Sequence, residues 1–394
     1  MMIRSFKEEV KMLVKEKANI IVLFVLPLLL VLILGVEMSG EVLTEIPIVV
    51  VDHDESAFSM DLIQQFDSNE TFSIKYRTDR DEELEELIRN SKARAGIIIP
   101  EGFYDDIEGL ESPSIVMIYD GSNMSVSSAA KAKATEILLT YKAGITSKQL
   151  MGRLGMSYEN SIKTTQGFIF RSKALYNPVK SFQDFLTPML VAGIIQIAVA
   201  LCAATSIRHE MLDRDKKKRL GYVSGKVLFY TICGTFMYIV STALLANVLG
   251  IPFEGNMTDV ILMSIGLSFA VSSFCVLISA VIKNKMVALV GGGLMIIPNS
   301  IMAGTTWPLI SMPKGYQAFA SYIPFIHFVD NYRNIFLKGA VLGDMTNDLV
   351  YMFGFGLVAL IIAEFVVTIM ETGKEDSENE DISGSIQKRV SFDI

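Results

Sequence analysis

Six stretches of this chain are too apolar to be left in water. They cover 20–36, 188–207, 227–249, 260–282, 286–301 and 349–370, and only the last holds a charged residue, Glu364. Inside a bilayer no water satisfies backbone N–H and C=O groups, so a spanning segment must be a helix or part of a closed barrel. Uncharged runs of about 20 residues have the length of a membrane helix. The expected fold class is therefore membrane α-helical, with six transmembrane helices. Composition agrees: 51% of residues are hydrophobic and the mean hydropathy is +0.42. Pro27 falls inside the first run, where a membrane helix tolerates it. That run is short and borrows from its flank, giving a first span over 19–36.

The charges between the spans set the orientation. Residues 1–18 place Ile3, Phe6, Val10, Leu13 and Val14 on one helical side and Arg4, Lys7, Lys11 and Lys15 on the other. This pattern predicts an amphipathic helix lying on the membrane surface. The link 208–226 and the turn 283–285 are also basic, whereas the connections between them are not. The excess of Lys and Arg in alternate connections puts those connections in the cytoplasm. Both termini are then cytoplasmic and residues 37–187 are extracytoplasmic. The acidic end, 371–394, reads as a disordered tail.

The 37–187 insert alternates strand and helix patterns. Apolar runs at 46–52, 72–78, 95–99 and 114–120 read as strands, with helices at 56–67, 79–90 and 101–109. Such alternation argues a small α/β domain. From 122 to about 180 the pattern turns helical, with Ile137, Leu138, Tyr141 and Ile145 at helix spacing. One or two long helices are expected to return the chain to the membrane.

The stretch 301–339 is too apolar for an ordinary loop and too broken to span. Pro308, Pro313 and Pro324 each remove a backbone donor and interrupt helix. Broken helices at membrane depth persist only where protein or a water-filled cavity covers their free backbone groups. A re-entrant hairpin before the last span is the expectation. Asp330 and Arg333 lie one helical turn apart and can pair within it.

The same stretch carries a resemblance. Ala303-Gly304, Trp307-Pro308, Met312-Pro313, Tyr322-Ile323-Pro324, Arg333 and Lys338-Gly339, in that order before the last span, are similar to the pattern of the ABC type-2 permeases. Ile98-Ile99-Pro100-Glu101-Gly102-Phe103 resembles a turn in the subset of that family with a large external insert. The resemblance implies the permease subunit of an ATP-driven exporter, with a separate ABC ATPase subunit and a second permease copy or paralogue. ATP and Mg would sit on that ATPase, and no cofactor on this chain. The link 208–226 would dock on the ATPase, with Arg208, Glu210, Lys217, Arg219 and Lys226 as coupling residues. Its competing role is an anchor on anionic lipid. The usual Gly-Thr and the Pro before the final Gly are missing from the link. The hairpin, with Gly304, Trp307, Pro308, Pro313, Pro324, Asp330 and Arg333, would form an outer gate. Gly291, Gly292 and Gly293 would lie at a dimer contact, with a hinge as the alternative. The aromatic, apolar hairpin favours a hydrophobic or amphipathic cargo such as an antimicrobial, drug or lipid. A surface receptor without transport is the other reading.

Several motifs fail on spacing. Gly221-Tyr-Val-Ser-Gly225-Lys226 looks like a phosphate loop, but its second Gly comes one residue early and Val227 stands where Ser or Thr is needed. His209-Glu210 lacks the second His of a zinc helix, and the three histidines do not cluster in sequence. No basic face points to nucleic acid. Cys202, Cys233 and Cys275 all lie in apolar runs and read as small core residues. Glu364, a charge at membrane depth, is either part of a substrate path or a buried structural hydrogen-bond partner.

Overall fold

The computed structural model describes residues 2–38, 43–166, 174–178, 181–207 and 221–390, with side chains described to 369 and not at 166. The chain divides into two compact units, Met1–Glu41 with Ala174–Ile394, and Val42–Lys173.

In the first unit α1 (Met2–Lys15) precedes α2 (Lys17–Glu37), whose residues Ile21–Val25 form one π turn. Then come α8 (Phe182–Ala203), α9 (Tyr222–Asn247), α10 (Met257–Val281), α11 (Lys285–Met302) and α14 (Leu342–Val390). Among the described residues, six helices are long and apolar enough to cross a membrane: α2, α8, α9, α10, α11 and the Leu342–Ile369 part of α14. Their order and number match the sequence expectation.

Several boundaries differ by a few residues, two of them instructively. α8 begins at Phe182, not Pro188, because Ser181 caps it by accepting from the Asp184 N–H at 3.2 Å. Pro188 lies inside the helix, where its lost donor removes one bond without ending it. α14 starts at Leu342 and continues as helix to Val390, where a disordered tail was expected. No proline falls between those two residues to stop it.

The core of this unit is α8, α9 and α10, which pack on one another and on α13 (Pro324–Lys338). The 301–339 stretch consists of a 3-10 turn at Leu309–Ser311, α12 (Lys314–Ala320) and α13. Each proline stands at a start: Pro308 before the 3-10 turn, Pro313 before α12, and Pro324 as the first residue of α13. There the missing N–H is one that a helix leaves unpaired anyway. With 15 residues, α13 is about 22 Å long, short of the roughly 30 Å hydrocarbon core. Phe328, Tyr332 and Phe336 are fully buried, and Tyr332 shares a 2.7 Å hydroxyl bond with Thr242 of α9.

In the second unit the sheet order is β2-β1-β3-β4, from β1 (Ile46–Asp52), β2 (Phe72–Thr78), β3 (Ala95–Ile99) and β4 (Val116–Tyr119). β1 pairs in parallel with β2 and β3, and β3 pairs antiparallel with β4. Parallel neighbours need crossover helices, and α3 (Ala57–Asp67) and α4 (Asp81–Arg89) supply them. α5 (Phe103–Gly109) then leads to β4. α6 (Met124–Leu154) buries Ala130, Ala134 and Ile137 in the same core as β1 and β3. α7 (Tyr158–Gln166) folds back on it, joined by a buried 2.7 Å Ser147–Ser161 hydroxyl bond. The long helix is thus a working layer of the α/β unit.

Candidate functional site at the start of the third span

Polar groups from several segments converge on the first turns of α9. Lys226 is 2% exposed, and its ammonium donates to Glu9 of α1 and to the Ser206 carbonyl, 2.7 Å away. Glu9 also accepts from the Tyr230 hydroxyl at 2.9 Å. An ammonium buried in an apolar bundle persists only when paired and hydrogen-bonded, and here both conditions hold. Residues 208–220 lie outside the described residues, but both flanks of that link are held. Lys226, its last residue, binds the carbonyl of Ser206, just before it. The Ile207 N–H donates to Ser279 of α10 at 2.9 Å.

A second carboxylate reaches the same turn from α14. Glu364 accepts from the Ser224 N–H at 3.1 Å and from the Ser224 hydroxyl at 2.9 Å. Ser224 is the third residue of α9, whose preceding residue Gly221 has a φ of 88° and offers no side-chain cap. The first N–H groups of a helix have no internal partner and carry its positive dipole end. Glu364 therefore supplies the missing cap, the hydrogen-bonding one of its two expected roles.

The glycines that imitate a phosphate loop serve close packing. A Cβ on Gly225 would meet the Met2 carbonyl oxygen at 2.4 Å. α1 thus lies directly on the backbone of α9, with Ser5 donating to the Tyr222 carbonyl at 2.7 Å and Phe6 edge-on to Phe229. Beside that contact Ile3, Val10 and Val14 of α1 stay exposed, an apolar strip of the kind that rests in a membrane surface.

The coupling residues are only partly placed. Arg208, Glu210, Lys217 and Arg219 lie outside the described residues. Lys226 was expected to present its charge to a docking partner; instead it is internal, because Glu9 draws it into the bundle. Glu9, Ser224 and Tyr230 were not anticipated. The signal available was Glu9, one turn from the small residue Ser5 and away from the Arg4, Lys7 and Lys11 side of the helix.

In the 301–339 stretch Arg333 and Asp330 do pair, at 2.9 Å, and the guanidinium lies 4.9 Å from the Phe185 ring of α8. Trp307, Tyr316, Phe319 and Tyr322 are exposed. Gly304 sits at a φ of 81°, in the left-handed region that favours glycine. An unanticipated cluster ties α13 to α14. His327 Nδ1 is 2.7 Å from Asp348, its Nε2 is 2.8 Å from the Ser321 carbonyl, and Asn331 donates to Asp348 at 2.7 Å. A carbonyl only accepts, so Nε2 is the donor toward Ser321.

The glycine triplet faces inward. A Cβ on Gly292 would come within 2.6 Å of the Ala204 Cβ, just past the end of α8, and Gly293 faces Leu201. Both serve packing within the chain. The exposed side of α11 instead carries Met286, Val290 and Leu294.

Comparison with known proteins agrees with this architecture. A family model described as "ABC-2 family transporter protein" matches residues 17–364, from the start of α2 to the capping Glu364. The chain is 24% identical over 350 residues to "Probable multidrug ABC transporter permease YbhR" of Escherichia coli (strain K12), covering 87% of this chain and 91% of that one. It is 21% identical over 359 residues to "Linearmycin resistance permease protein LnrN" of Bacillus subtilis (strain 168), covering 86% and 91%. With six apolar helices and a family match over most of its length, the chain belongs to the ABC-2 transporter family and is a multi-pass membrane transport subunit.

Proposed function

We propose that this protein is the permease of an ATP-driven exporter that moves hydrophobic or amphipathic compounds, such as antimicrobials, drugs or lipids, out of the cell. Two such permeases, or this one and a paralogue, work with separate ABC ATPase chains that bind ATP and Mg. Both termini and the 208–226 link lie in the cytoplasm, and the Val42–Lys173 unit lies outside. The 301–339 stretch is a re-entrant hairpin that closes the outer side.

One observation carries the reading: both flanks of the link and the amino-terminal helix meet at Lys226. A push on the link is then felt at once by α1, α8 and α9. The names of the relatives, a multidrug permease and a linearmycin resistance permease, support the cargo class. A nucleotide-driven partner shifts the spans between two packings only if it binds one of them better. A rigid node at the link is the element such a partner can bias.

The test is reconstitution with its ABC ATPase partner. Lys217→Glu with Arg219→Glu should leave the chain inserted but abolish cargo-stimulated ATP hydrolysis and efflux. Unchanged hydrolysis in that variant would remove the link from the coupling route.

A further inference from the structure

The Val42–Lys173 unit contains a cleft of about 490 Å³. It lies between α5, the 110–115 segment and one side of α6. That volume falls within the roughly 300–1,000 Å³ of small-molecule sites. Phe103, Ile107, Ile115 and Leu138 line it, and Leu110 and Leu139 stand exposed at its rim at 59% and 61%. The walls are held in place. Gln149 of α6 donates to the Ile107 carbonyl at 2.6 Å, and Arg153 donates to the Glu108 carbonyl. Both carbonyls lie in the last turn of α5, where a helix leaves acceptors free for outside donors, and that of Ile107 also accepts from the Leu110 N–H at 3.2 Å. The cleft is thus a built recess between two stapled elements.

Its charges are few and unbalanced in position. Lys142 and Glu111 both line the cleft, yet neither forms an ion pair within 4.0 Å among the described residues. Lys142 projects from α6 one turn after Leu138 and one turn before Thr146, beside the apolar lining. A molecule filling the recess must be apolar along most of its length and polar at one end. An anionic end placed at Lys142 is matched there and repelled by Glu111.

We infer that this cleft binds a single-tailed amphiphile with an anionic head, its chain along Leu138, Ile107 and Phe103 and its head at Lys142. The inference deepens the proposed function by naming a capture site for cargo in the α/β unit, and its role in transport rests on that reading. The binding itself stands on the cleft alone.

The experiment uses the full chain with its ATPase in nanodiscs and a 12-carbon fatty acid carrying a diazirine at its far end. After irradiation, labelled peptides are mapped by mass spectrometry, with the transmembrane peptides as internal reference. Saturable labelling of 103–115 and 138–149 is expected. Leu139→Glu, at an exposed position, should cut it roughly tenfold, and Lys142→Gln about fivefold. Glu111→Gln should raise it. Labelling confined to the spans, or unchanged in Leu139→Glu and Lys142→Gln, would overturn the site. So would protection of Leu139→Cys from a maleimide with no amphiphile added, since a protein surface would then cover the cleft. Loss of labelling in Leu139→Glu with efflux unchanged would retain the binding site and overturn its part in transport. Loss of efflux in the link variants with cleft labelling intact would bear on the exporter reading alone.

Discussion

Lys226 and Glu9, 217 positions apart, form a buried ion pair that fastens the amino-terminal helix to the third membrane helix. Removing one partner leaves the other charged in a low-dielectric setting. Glu9→Gln or Lys226→Met should each destabilise the bundle by about 3–5 kcal/mol. The double variant Glu9→Gln with Lys226→Met should recover much of that loss, since no lone charge remains. Thermal unfolding of the detergent-purified chain reads both. A double variant as unstable as the sum of the singles would show that the two residues act apart.

Glu364 separates two roles by one substitution. If its work is to cap α9 at Ser224, Glu364→Gln keeps an acceptor oxygen and should transport near the parental rate. Glu364→Ala should lose about 1 kcal/mol of stability. Glu364→Gln with normal stability but no efflux would move Glu364 into the substrate path.

These two carboxylates also show how far the sequence could be read. The spans were legible because an uncharged run of about 20 residues has few alternatives. The α/β alternation was legible for the same kind of local reason, since strand and helix periods differ within a few residues. The partners of Glu9 and Glu364 were not, because each lies more than 100 residues away in sequence and no periodicity encodes it. Lys226 was counted among the coupling residues because the end of the link resembles the family's docking loop. Its pairing with Glu9, with α1 packed closely on Gly225, holds it inside. His327 looked isolated because Asp348 lies on the next helix.

Gly292 should resist enlargement where its neighbour does not. A Cβ there overlaps Ala204, while one on Gly291 meets only Ile282 at 3.5 Å and Ile278 at 3.8 Å. Gly292→Val should therefore cost about 1–3 kcal/mol through overpacking, and Gly291→Ala should be nearly neutral. Comparing their midpoints with the assembly size by light scattering distinguishes the contacts. A drop in assembly size without loss of stability would return Gly292 to a dimer contact.

His327 bridges Asp348 on α14 to the Ser321 carbonyl before α13, with the Tyr351 ring tilted 33° to its own at 4.1 Å. His327→Phe keeps a ring contact and removes both hydrogen bonds. It should speed amide exchange over 321–327 by about tenfold, equivalent to roughly 1.4 kcal/mol. Exchange within α10 should stay unchanged. Equal acceleration in both places would mean that the cluster holds the whole bundle and not the 301–339 stretch alone.

Asp120 gives the α/β unit an acid limit. The Ser122 hydroxyl, then Arg94 and the Ser122 N–H, hold its carboxyl below the usual carboxylate range. The Arg94 guanidinium lies 2.7 Å away, and the Asp120 N–H donates to the Arg94 carbonyl at 2.9 Å, closing the β3–β4 pair. A carboxyl with a depressed folded pKa binds its proton more readily in the unfolded chain. Its contribution is therefore complete above the ordinary carboxylate value of about 4 and is lost as pH falls through the lower folded value. Asp120→Asn should weaken β3–β4 protection at neutral pH, seen as faster amide exchange at 95–99 and 116–119. Between about pH 5 and pH 2 the gap between parent and variant should close, because the parent loses what the variant never had. A gap that stays constant across that range would show that the charge on Asp120 contributes nothing to the pairing of those strands.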